Sequence, residues 1–152
     1  MKVREGDPAD LPRLREIQGA ALAEPWPELL PAALEGPLPV YVVADGAPVG
    51  YAVAVTDGES VAYLPELAVD PARQREGHGS RLLDALWERL TAAGYDELRV
   101  TVRASDRGAR AFYADRGFEP IDRLDGHFEG GDGLLLALSL ADEGGTDRST
   151  PG

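Results

Sequence analysis

The amino-acid sequence predicts an α+β domain with a β-α-β crossover at its centre, and three observations lead to that prediction. Residues 39–71 contain three strand-like runs separated by Asp45-Gly46 and Asp57-Gly58, which are typical turn sequences of antiparallel hairpins. Residues 80–94 carry leucines at helical spacing. Residues 96–105 alternate apolar and polar side chains, as a strand does.

The N-terminal part of the chain predicts two helices. Either Asp7 or Asp10 can cap the first helix, because prolines follow both of them, and Leu14 and Ile17 then fall on one helical face. Residues 24–37 are interrupted by prolines, so we expect at most a short second helix and a loop. A substrate-binding flap is expected in that loop.

The most regular predicted helix follows the central turn. Leu82, Leu86 and Leu90 lie along one face of this helix, and Gly94 ends it. Its apolar face is therefore expected to pack against the sheet.

The last part of the chain predicts one helix and two strands. Asp106 can cap the helix, and Gly117 ends it. Residues 118–124 and 131–140 then have the pattern of a closing pair of strands. The predicted order is two helices, three antiparallel strands, a helix, a strand, a helix and two strands.

The composition limits the class of protein. The chain has 152 residues, which suits one domain, expected at residues 1–140, and a polar tail at 141–152 that is predicted to be disordered. The absence of cysteine excludes disulfides, thiolate zinc sites and a cysteine nucleophile, and no metal is expected. No apolar run approaches the roughly 20 residues that span a bilayer, and the start lacks a signal peptide's apolar core. We expect a cytoplasmic protein that binds no membrane.

The net charge of the chain does not favour anionic partners. The formal net charge is −12, and Lys2 is the only lysine, so attraction to nucleic acid phosphates or anionic lipid is not expected. A cationic partner fits this charge, but an acidic surface that serves only solubility fits it equally well.

A glycine turn lies between the third predicted strand and the helix after it, in the stretch RQREGHGSRL. Gly77 and Gly79 allow main-chain amides to turn toward a ligand, and Arg73 or Arg75 can assist in binding a pyrophosphate at the helix N-terminus. An ordinary strand-to-helix turn remains the alternative. A Walker loop needs Gly-Lys-Ser/Thr, and a Rossmann loop needs a third glycine where Leu82 stands, so neither fits.

The same turn resembles a known phosphate loop. Residues 74–79, Gln-Arg-Glu-Gly-His-Gly, match the pattern Gln/Arg-x-x-Gly-x-Gly/Ala of the GNAT superfamily of acetyl-CoA-dependent N-acetyltransferases. Residues 66–86 resemble that superfamily's fourth strand, loop and third helix. Residues 102–118 resemble its later Asn-x-x-Ala-x-x-x-Tyr-x-x-x-Gly-Phe segment, and together the resemblance covers roughly residues 60 to 140.

The resemblance implies the GNAT fold, with a mixed, mostly antiparallel sheet of about six to seven strands and about four helices. It also implies acetyl-CoA as cosubstrate, with pantetheine paired to a strand that splays at a bulge and the pyrophosphate held by loop amides. The residues that it assigns to the cofactor are Leu67, Ala68, Val69, Gln74, Arg75, Glu76, Gly77, His78, Gly79, Ser80, Asp106 and Arg110. The superfamily has asparagine where Asp106 stands, and an ionised aspartate cannot donate a hydrogen bond to pantetheine.

Acetyl transfer to an amine needs a base for the ammonium and a proton donor for the departing thiolate. Tyr113 matches the family tyrosine that donates to the sulfur, or else it is a core aromatic packed beside Phe112. Glu66 lies where several family members place a base that acts directly or through water, or else it is a solvated edge or an arginine salt bridge. His127 is the candidate substrate-binding residue. His78 is expected to face the ligand or solvent rather than to act as a base.

The acceptor is expected to be a small-molecule amine or a peptide N-terminus. Residues 63–138 are especially similar to ribosomal-protein alanine N-acetyltransferases, which modify protein N-termini. The glutamate that serves those enzymes as base falls on Thr101, and their paired tyrosines fall on His127 and Phe128. Threonine cannot deprotonate an ammonium, so N-terminal protein acetylation remains an alternative to a general primary amine.

The final hairpin carries four acidic residues near the expected acceptor entrance. They favour a cationic amine, unless they reflect the acidic background of the chain; they are Asp122, Asp125, Glu129 and Asp132. A noncatalytic acyl-CoA-binding module is a further alternative, and a homodimer is compatible with the resemblance.

Overall fold

A computed structural model describes residues 2–22, 25–36, 40–128 and 130–140 of the chain. The tail predicted at 141–152 and the predicted acidic residue Glu129 lie outside the described residues. Strands are numbered β1 to β7 and helices α1 to α4 in chain order. The strands are Lys2–Glu5, Val40–Asp45, Ala47–Thr56, Val61–Val69, Glu97–Arg103, Glu119–Phe128 and Gly131–Ser139, and the helices are Leu11–Ala21, Leu29–Glu35, His78–Ala92 and Arg107–Asp115.

The chain divides into two compact units. The first unit comprises Met1–Val55 and Pro65–Arg89, and the second comprises Thr56–Leu64 and Leu90–Gly152. The interpretation of residues 1–140 as a single domain stays a prediction.

The first unit is an antiparallel sheet with two helices. Its strand order is β1-β2-β3-β4, with antiparallel pairing of β1 with β2 and of β2 with β3. Leu14 and Ile17 of α1 and Leu30 of α2 are buried in one apolar cluster with Val42 and Tyr51 of the sheet. The predicted inward face of the first helix and the short second helix are therefore confirmed.

The start of the first helix is more elaborate than predicted. Asp7 and Asp10 form a reciprocal capping box around a 3-10 turn at Pro8–Asp10, and α1 begins at Leu11 without a side-chain cap of its own. Strand β1 was absent from the predicted order. Its pairing extends from Lys2↔Ala44 to Glu5↔Tyr41, so contacts distant in sequence create it.

The second unit contains a sheet that includes residues 61–64 of β4. Its strand order is β4-β5-β7-β6. Residues Val61–Tyr63 of β4 pair in parallel with β5, which confirms the β-α-β crossover, and β7 pairs antiparallel with both β5 and β6. The α+β class and the mostly antiparallel sheet are confirmed, as are the alternation of β5 and the closing pair of strands.

The predicted turns have the backbone that their sequences favour. Gly46 has φ +82° between β2 and β3, and Gly58 has φ +81° between β3 and β4. Gly94 after α3 and Gly117 after α4 also have positive φ, which confirms both as helix terminators.

No helix in the ranges described above is long and apolar enough to cross a membrane. The cytoplasmic location and the homodimer stay predictions.

Candidate active site

The glycine turn joins β4 to α3 within the first unit. Gln74 donates a hydrogen bond from Nε2 to the Val69 carbonyl oxygen at 3.1 Å, which ties the turn to the end of β4. Arg75 and Gly77 have φ +69° and +86°, so left-handed residues alternate with others along the turn. Such alternation gathers main-chain N–H groups on the concave side of a turn. A Cβ at Gly77 would meet no heavy atom within 4 Å, so only the backbone requires glycine there.

The amides of this turn are open to a ligand. Helix α3 begins at His78, two residues before the predicted start near Ser80. The N–H groups of residues 75–80 donate to no other described residue, and those at 78–80 belong to the first turn of α3, where no carbonyl is available four residues earlier. An anion can therefore accept hydrogen bonds from them and benefit from the helix dipole.

The side chain of Glu76 is held by two neighbouring side chains of the turn. Its Oε1 accepts hydrogen bonds from Arg73 Nε at 3.1 Å and from His78 Nε2 at 3.0 Å. The bond from His78, with that from Arg73, lowers the pKa of the Glu76 carboxyl below its usual value. The negative charge in the loop is therefore balanced by neighbours before any ligand binds.

The environment of His78 differs from the prediction. Its ring is buried, with 2% exposure, so the expectation of a solvent-facing side chain is wrong, and its contact with a ligand stays a prediction. A carboxylate only accepts hydrogen bonds, so Nε2 carries the hydrogen donated to Glu76, and Nδ1 has no partner in the described part of the chain. Its main-chain amide remains in the open turn.

The strand before the turn is held close to β3. A Cβ at Gly50 would lie 3.0 Å from the Ala68 carbonyl oxygen, so glycine allows β3 to approach β4 closely there. Asp70 donates its amide hydrogen to the Val49 carbonyl at 2.8 Å. The described pairing of β4 with β5 covers only Val61–Tyr63. The bulge expected at residues 67–69 stays a prediction.

Glu66, the candidate base, is buried among hydrogen-bond donors of the first unit. Its side chain is 4% exposed. Oε1 accepts from Tyr51 Oη at 2.8 Å and from Gln18 Nε2 at 3.0 Å, and Oε2 accepts from the Trp26 amide at 2.8 Å. The alternative interpretation of Glu66 as a solvated edge or an arginine salt bridge is therefore wrong. We call the side chains of Gln18, Tyr51 and Glu66 the Glu66 cluster.

Tyr51 acts in this cluster as a hydrogen-bond donor. Burial, together with its hydrogen bond to the Glu66 carboxylate, raises the pKa of the Tyr51 hydroxyl far above its usual value. The Tyr51 hydroxyl, the Gln18 amide and the Trp26 N–H all donate hydrogen bonds to Glu66.

Tyr113, the candidate acid, lies on α4 in the second unit. Its ring is 6% exposed and packs edge-on against Phe112 and Phe118, with centroids 5.0 and 5.2 Å away. Its hydroxyl hydrogen-bonds to no described residue. Burial, and to a lesser extent the charge of Asp106, raise the pKa of Tyr113 well above its usual value, so the hydroxyl keeps its proton at neutral pH. The ring belongs to the core, as the alternative interpretation held, but its oxygen has no hydrogen-bond partner among the described residues.

The two further cofactor candidates of α4 have local partners. Asp106 Oδ1 accepts from the Ala109 amide at 3.0 Å, which confirms it as the helix cap. Arg110 donates from Nη1 to the Ala104 carbonyl at 2.9 Å, and with Arg107 it lines a groove of about 430 Å³ whose apolar wall includes Leu136.

His127 lies beside Thr101, which stands at the position of the glutamate base in the similar ribosomal-protein enzymes. A Cβ at Gly133 would come within 3.1 Å of Thr101 Cγ2 and within 3.3 Å of His127 Cβ, so both residues surround this glycine. The imidazole of His127 is exposed and makes an edge contact with Phe128 at 4.8 Å. Arg103 in turn lies over the Phe128 ring at 5.0 Å. The position predicted to line the acceptor site is therefore open.

Some acidic side chains of the final hairpin bind to other residues of the same hairpin. Asp132 accepts from the Gly126 amide at 2.8 Å and from Arg123 Nη2 at 2.7 Å, and these bonds lower the pKa of its carboxyl. Asp122 accepts from the Arg123 amide. Asp125 is exposed and lies 3.7 Å from Arg123 Nε. Asp132 therefore stabilises the hairpin itself, which weakens the interpretation of these acidic side chains as a binding surface for a cationic amine.

No cluster of three or more histidine, cysteine or acidic side chains suited to a metal ion occurs among the residues that the structure describes.

Sequence reasoning missed the polar partners of Glu66. Gln18 lies 48 residues and Trp26 lies 40 residues away from it along the chain, so no local pattern connects them. The available signals were a glutamine beside the apolar face of α1 and a tryptophan between two prolines.

Residues 11–118 match the acetyltransferase (GNAT) family. The chain is 32% identical over 134 residues to the [ribosomal protein bS18]-alanine N-acetyltransferase of Escherichia coli strain K12, covering 87% of this chain and 90% of that protein.

Two solved structures are also similar. The crystal structure of the ribosomal-protein-S18-alanine N-acetyltransferase from Escherichia coli has a TM-score of 0.82 at 29% identity, covering 96% of this chain and 97% of that chain. A GNAT family acetyltransferase from Elizabethkingia anophelis, with acetyl-CoA bound, has a TM-score of 0.76 at 19% identity, covering 91% and 97%. The second likeness concerns the fold alone.

Proposed function

This chain belongs to the acetyltransferase (GNAT) family, and we propose that it moves the acetyl group of acetyl-CoA to a primary amine by direct nucleophilic attack. The observation that carries the proposal is the turn at residues 75–80, whose amides have no partner among the described residues at the start of α3. A turn of this kind suits a diphosphate.

The residues of the first unit fit acetyl-CoA at several points. The amides of Arg75 to Ser80 would hold the diphosphate, and the exposed Arg75 side chain would add a positive charge. Leu67, Ala68 and Val69 would pair with the pantetheine arm through their main chain. Glu76 does not oppose this binding, because Arg73 and His78 already neutralise or donate to its carboxylate.

Acetyl-CoA supplies an activated thioester, in which the C–S bond breaks as the amine nitrogen forms the new C–N bond. Tyr113 would donate a hydrogen bond, and then a proton, to the departing sulfur. Its hydroxyl stays protonated and has no competing acceptor among the described residues, both of which suit that role. Asp106 caps α4 and so fixes the helix that carries Tyr113.

We assign to Glu66 the role of the base that removes a proton from the ammonium group, so that the neutral amine can attack. Both Glu66 oxygens already accept hydrogen bonds from Gln18, Tyr51 or the Trp26 amide, which favours a route through water over direct contact with the amine. Thr101 occupies the position that resembles the base of the ribosomal-protein enzymes, and it cannot serve as one.

A peptide N-terminus is the acceptor that the comparisons support best. The 32% identity extends over 87% of this chain to an enzyme named for the alanine of a ribosomal protein. His127, exposed beside Thr101 and Gly133, is the residue of the second unit that we assign to the acceptor. A small primary amine remains the alternative, because Thr101 departs from the pattern of those enzymes.

Release of coenzyme A from acetyl-CoA tests the proposal. The wild-type chain is mixed with acetyl-CoA and a panel that includes N-terminal alanine peptides, the same peptides with a blocked N-terminus, spermidine and glucosamine. We expect release above background with a free amine and none with the blocked peptides. Tight binding of acetyl-CoA in calorimetry without turnover on any amine would instead support a noncatalytic acyl-CoA-binding module.

A further inference from the structure

A carboxylate lies within the turn proposed to hold the diphosphate of acetyl-CoA. Glu76 stands between Arg75 and Gly77, in the middle of the amides at residues 75–80 that are open to a ligand. A diphosphate is strongly anionic, and like charges that lie close together repel each other even when solvent partly screens them. The affinity of the turn for acetyl-CoA therefore depends on where the Glu76 side chain is held.

Two side chains hold the Glu76 carboxylate, and both donate to the same oxygen. Oε1 accepts from Arg73 Nε at 3.1 Å and from His78 Nε2 at 3.0 Å. The Glu76 and Arg73 side chains are 46% and 30% exposed, whereas that of His78 is buried. The two donors therefore differ in how firmly they are fixed.

The imidazole of His78 is the more rigid of the two donors. An ion pair between long, exposed side chains is weakened by water and by the entropy lost in holding both of them. His78 has a short side chain in the first turn of α3, and burial restricts its rotamers. The hydrogen bond from His78 therefore determines the position of the Glu76 carboxylate more than the ion pair with Arg73 does.

Stability alone does not account for an imidazole at position 78. Its Nδ1 is buried without a hydrogen-bond partner among the described residues, which lowers stability relative to an apolar side chain that fits the same space. What an apolar side chain could not supply is the N–H group that donates to Glu76. The polar role of His78 is therefore its contact with that carboxylate.

Arg75 has the opposite arrangement to Glu76. Its side chain is exposed and makes no hydrogen bond or ion pair with any described residue, so its charge is available to an anion. Arg73, the other arginine considered for the pyrophosphate, instead donates to Glu76. The turn thus leaves the positive charge of Arg75 available and restrains the negative charge of Glu76.

We propose that His78 is a positioning residue for acetyl-CoA: its Nε2–H group holds the Glu76 carboxylate aside, so that the diphosphate meets main-chain amides without that repulsion. The inference rests on the proposed function, since it concerns the cosubstrate of the same reaction. It gives a role to two side chains of the turn, whereas the proposed diphosphate contacts are made mainly by main-chain groups. Because His78 acts through Glu76, its effect should disappear when the carboxylate is removed.

Calorimetric titration of acetyl-CoA into the chain at low ionic strength tests the role of His78. His78→Leu removes the donor but keeps a side chain of similar size, and it should raise the dissociation constant about four-fold. His78→Gln is the conservative variant, because its amide N–H can still reach Glu76, and it should change the constant by less than about two-fold. At about 0.5 M NaCl the effect of His78→Leu should also fall below about two-fold, because salt screens the released charge.

A double-mutant cycle tests whether His78 acts through Glu76. Glu76→Gln removes the charge, and in His78→Leu/Glu76→Gln the dissociation constant should equal that of Glu76→Gln alone. Glu88→Gln is the matched control, since Glu88 is an exposed glutamate of α3 outside the turn. The variant His78→Leu/Glu88→Gln should bind acetyl-CoA as weakly as His78→Leu, because the same change in net charge is made away from the turn.

Thermal unfolding of each variant, followed by circular dichroism, shows whether the fold is retained. If His78→Leu does not fold, His78→Met takes its place, because the flexible methionine side chain fills irregular buried space more easily. Both substitutions remove the donor to Glu76, so the expected dissociation constants are the same.

The outcomes separate this inference from the proposed function. A wild-type chain that acetylates an amine, with unchanged acetyl-CoA affinity in His78→Leu, would overturn the inference and leave the function standing. A loss of affinity that Glu76→Gln does not restore, or that persists at high salt, would show a purely structural role for His78 and would also overturn it. A wild-type chain that binds acetyl-CoA but acetylates no amine would overturn the function alone, and one that does not bind acetyl-CoA would overturn both.

Discussion

Glu66 in the first unit and Tyr113 in the second are both buried polar groups assigned to proton transfer, but their surroundings differ. Glu66 accepts hydrogen bonds from Gln18, Tyr51 and the Trp26 amide. The ring of Tyr113 packs edge-on against Phe112 and Phe118, and its hydroxyl has no partner among the described residues. The Tyr113 hydroxyl is therefore available to donate a hydrogen bond to a ligand.

The difference teaches that burial alone does not identify a catalytic group. Both Tyr51 and Tyr113 have a raised pKa, and burial is the main cause in each case. The hydrogen of Tyr51 is nevertheless committed to Glu66, whereas that of Tyr113 is free for a substrate. Loss of the Tyr113 hydroxyl should therefore lower turnover with little loss of stability, whereas loss of the Glu66 carboxyl should lower both.

The largest effect on stability is expected from Glu66→Ala. The substitution leaves the Tyr51 hydroxyl, the Gln18 amide and the Trp26 N–H without their acceptor in a buried place, and each loss costs about 1–3 kcal/mol. We expect the free energy of unfolding in urea to fall by about 3 kcal/mol. Tyr113→Phe should change it by less than about 1 kcal/mol, because no hydrogen bond to a described residue is lost. A loss of comparable size in both variants would contradict the contrast.

Gly77→Val tests whether the glycine turn at residues 74–80 binds the diphosphate of acetyl-CoA. Gly77 has φ +86°, which a β-branched residue adopts only under strain, and the reoriented amides would no longer converge. The dissociation constant for acetyl-CoA, measured by calorimetry, should rise about 10-fold or more.

Gly94→Val is the control for that experiment. Gly94 has φ +90° at the other end of α3 and also has no heavy atom within 4 Å of an added Cβ, so the strain is matched. It should lower stability similarly without weakening acetyl-CoA binding. Equal binding by both variants would remove the turn from the cofactor site.

His127→Ala tests the acceptor side of the second unit. Because the imidazole makes no hydrogen bond with any described residue, its removal should leave stability unchanged. We expect the KM for an N-terminal alanine peptide to rise about five-fold, which corresponds to about 1 kcal/mol. A normal KM would remove His127 from the acceptor site.

The smallest expected effect concerns acid stability in the first unit. Arg4 donates hydrogen bonds to both oxygens of Asp10, at 2.8 and 2.9 Å, and this contact lowers the pKa of Asp10. A lowered pKa means that the stabilisation is present above the usual aspartate pKa of about 3.9 and is lost as the pH falls through the lower folded value.

Asp10→Asn measures that contribution. At pH 7 it should lower the free energy of unfolding by about 0.5 kcal/mol, because Arg4 is partly exposed and the pair is screened. The difference from the wild type should shrink below about pH 4. A difference that is constant from pH 7 to pH 3 would show that the charge of Asp10 is not responsible.

Local sequence patterns were sufficient for most of the fold. The helices, the hairpin turns and strands β2 to β7 follow from periodicity, caps and glycine positions, and the structure confirms them. Strand β1 was missed because its four residues, Lys2–Glu5, show no alternation of their own and become a strand only by pairing with β2. A strand defined by its partner has no local signature.

About as much of the candidate site as of the fold could be predicted from the sequence. The glycine turn at residues 74–80 and the candidate residues of α4 follow from motifs whose spacing lies within one loop or one helix. The surroundings of Glu66 could not be predicted, because its donors come from α1, from Trp26 and from β3. The burial of His78 was also missed, since a histidine between two glycines of a turn carries no sign of which way it packs.

The turnover of Tyr113→Phe tests the central claim most directly. With acetyl-CoA and an N-terminal alanine peptide, we expect kcat to fall about 100-fold while the dissociation constant for acetyl-CoA and the free energy of unfolding stay unchanged, because only a proton donor is lost. If Tyr113→Phe and the wild type release coenzyme A at the same rate, the unpartnered hydroxyl is not the acid, and the distinction drawn between the two regions is wrong.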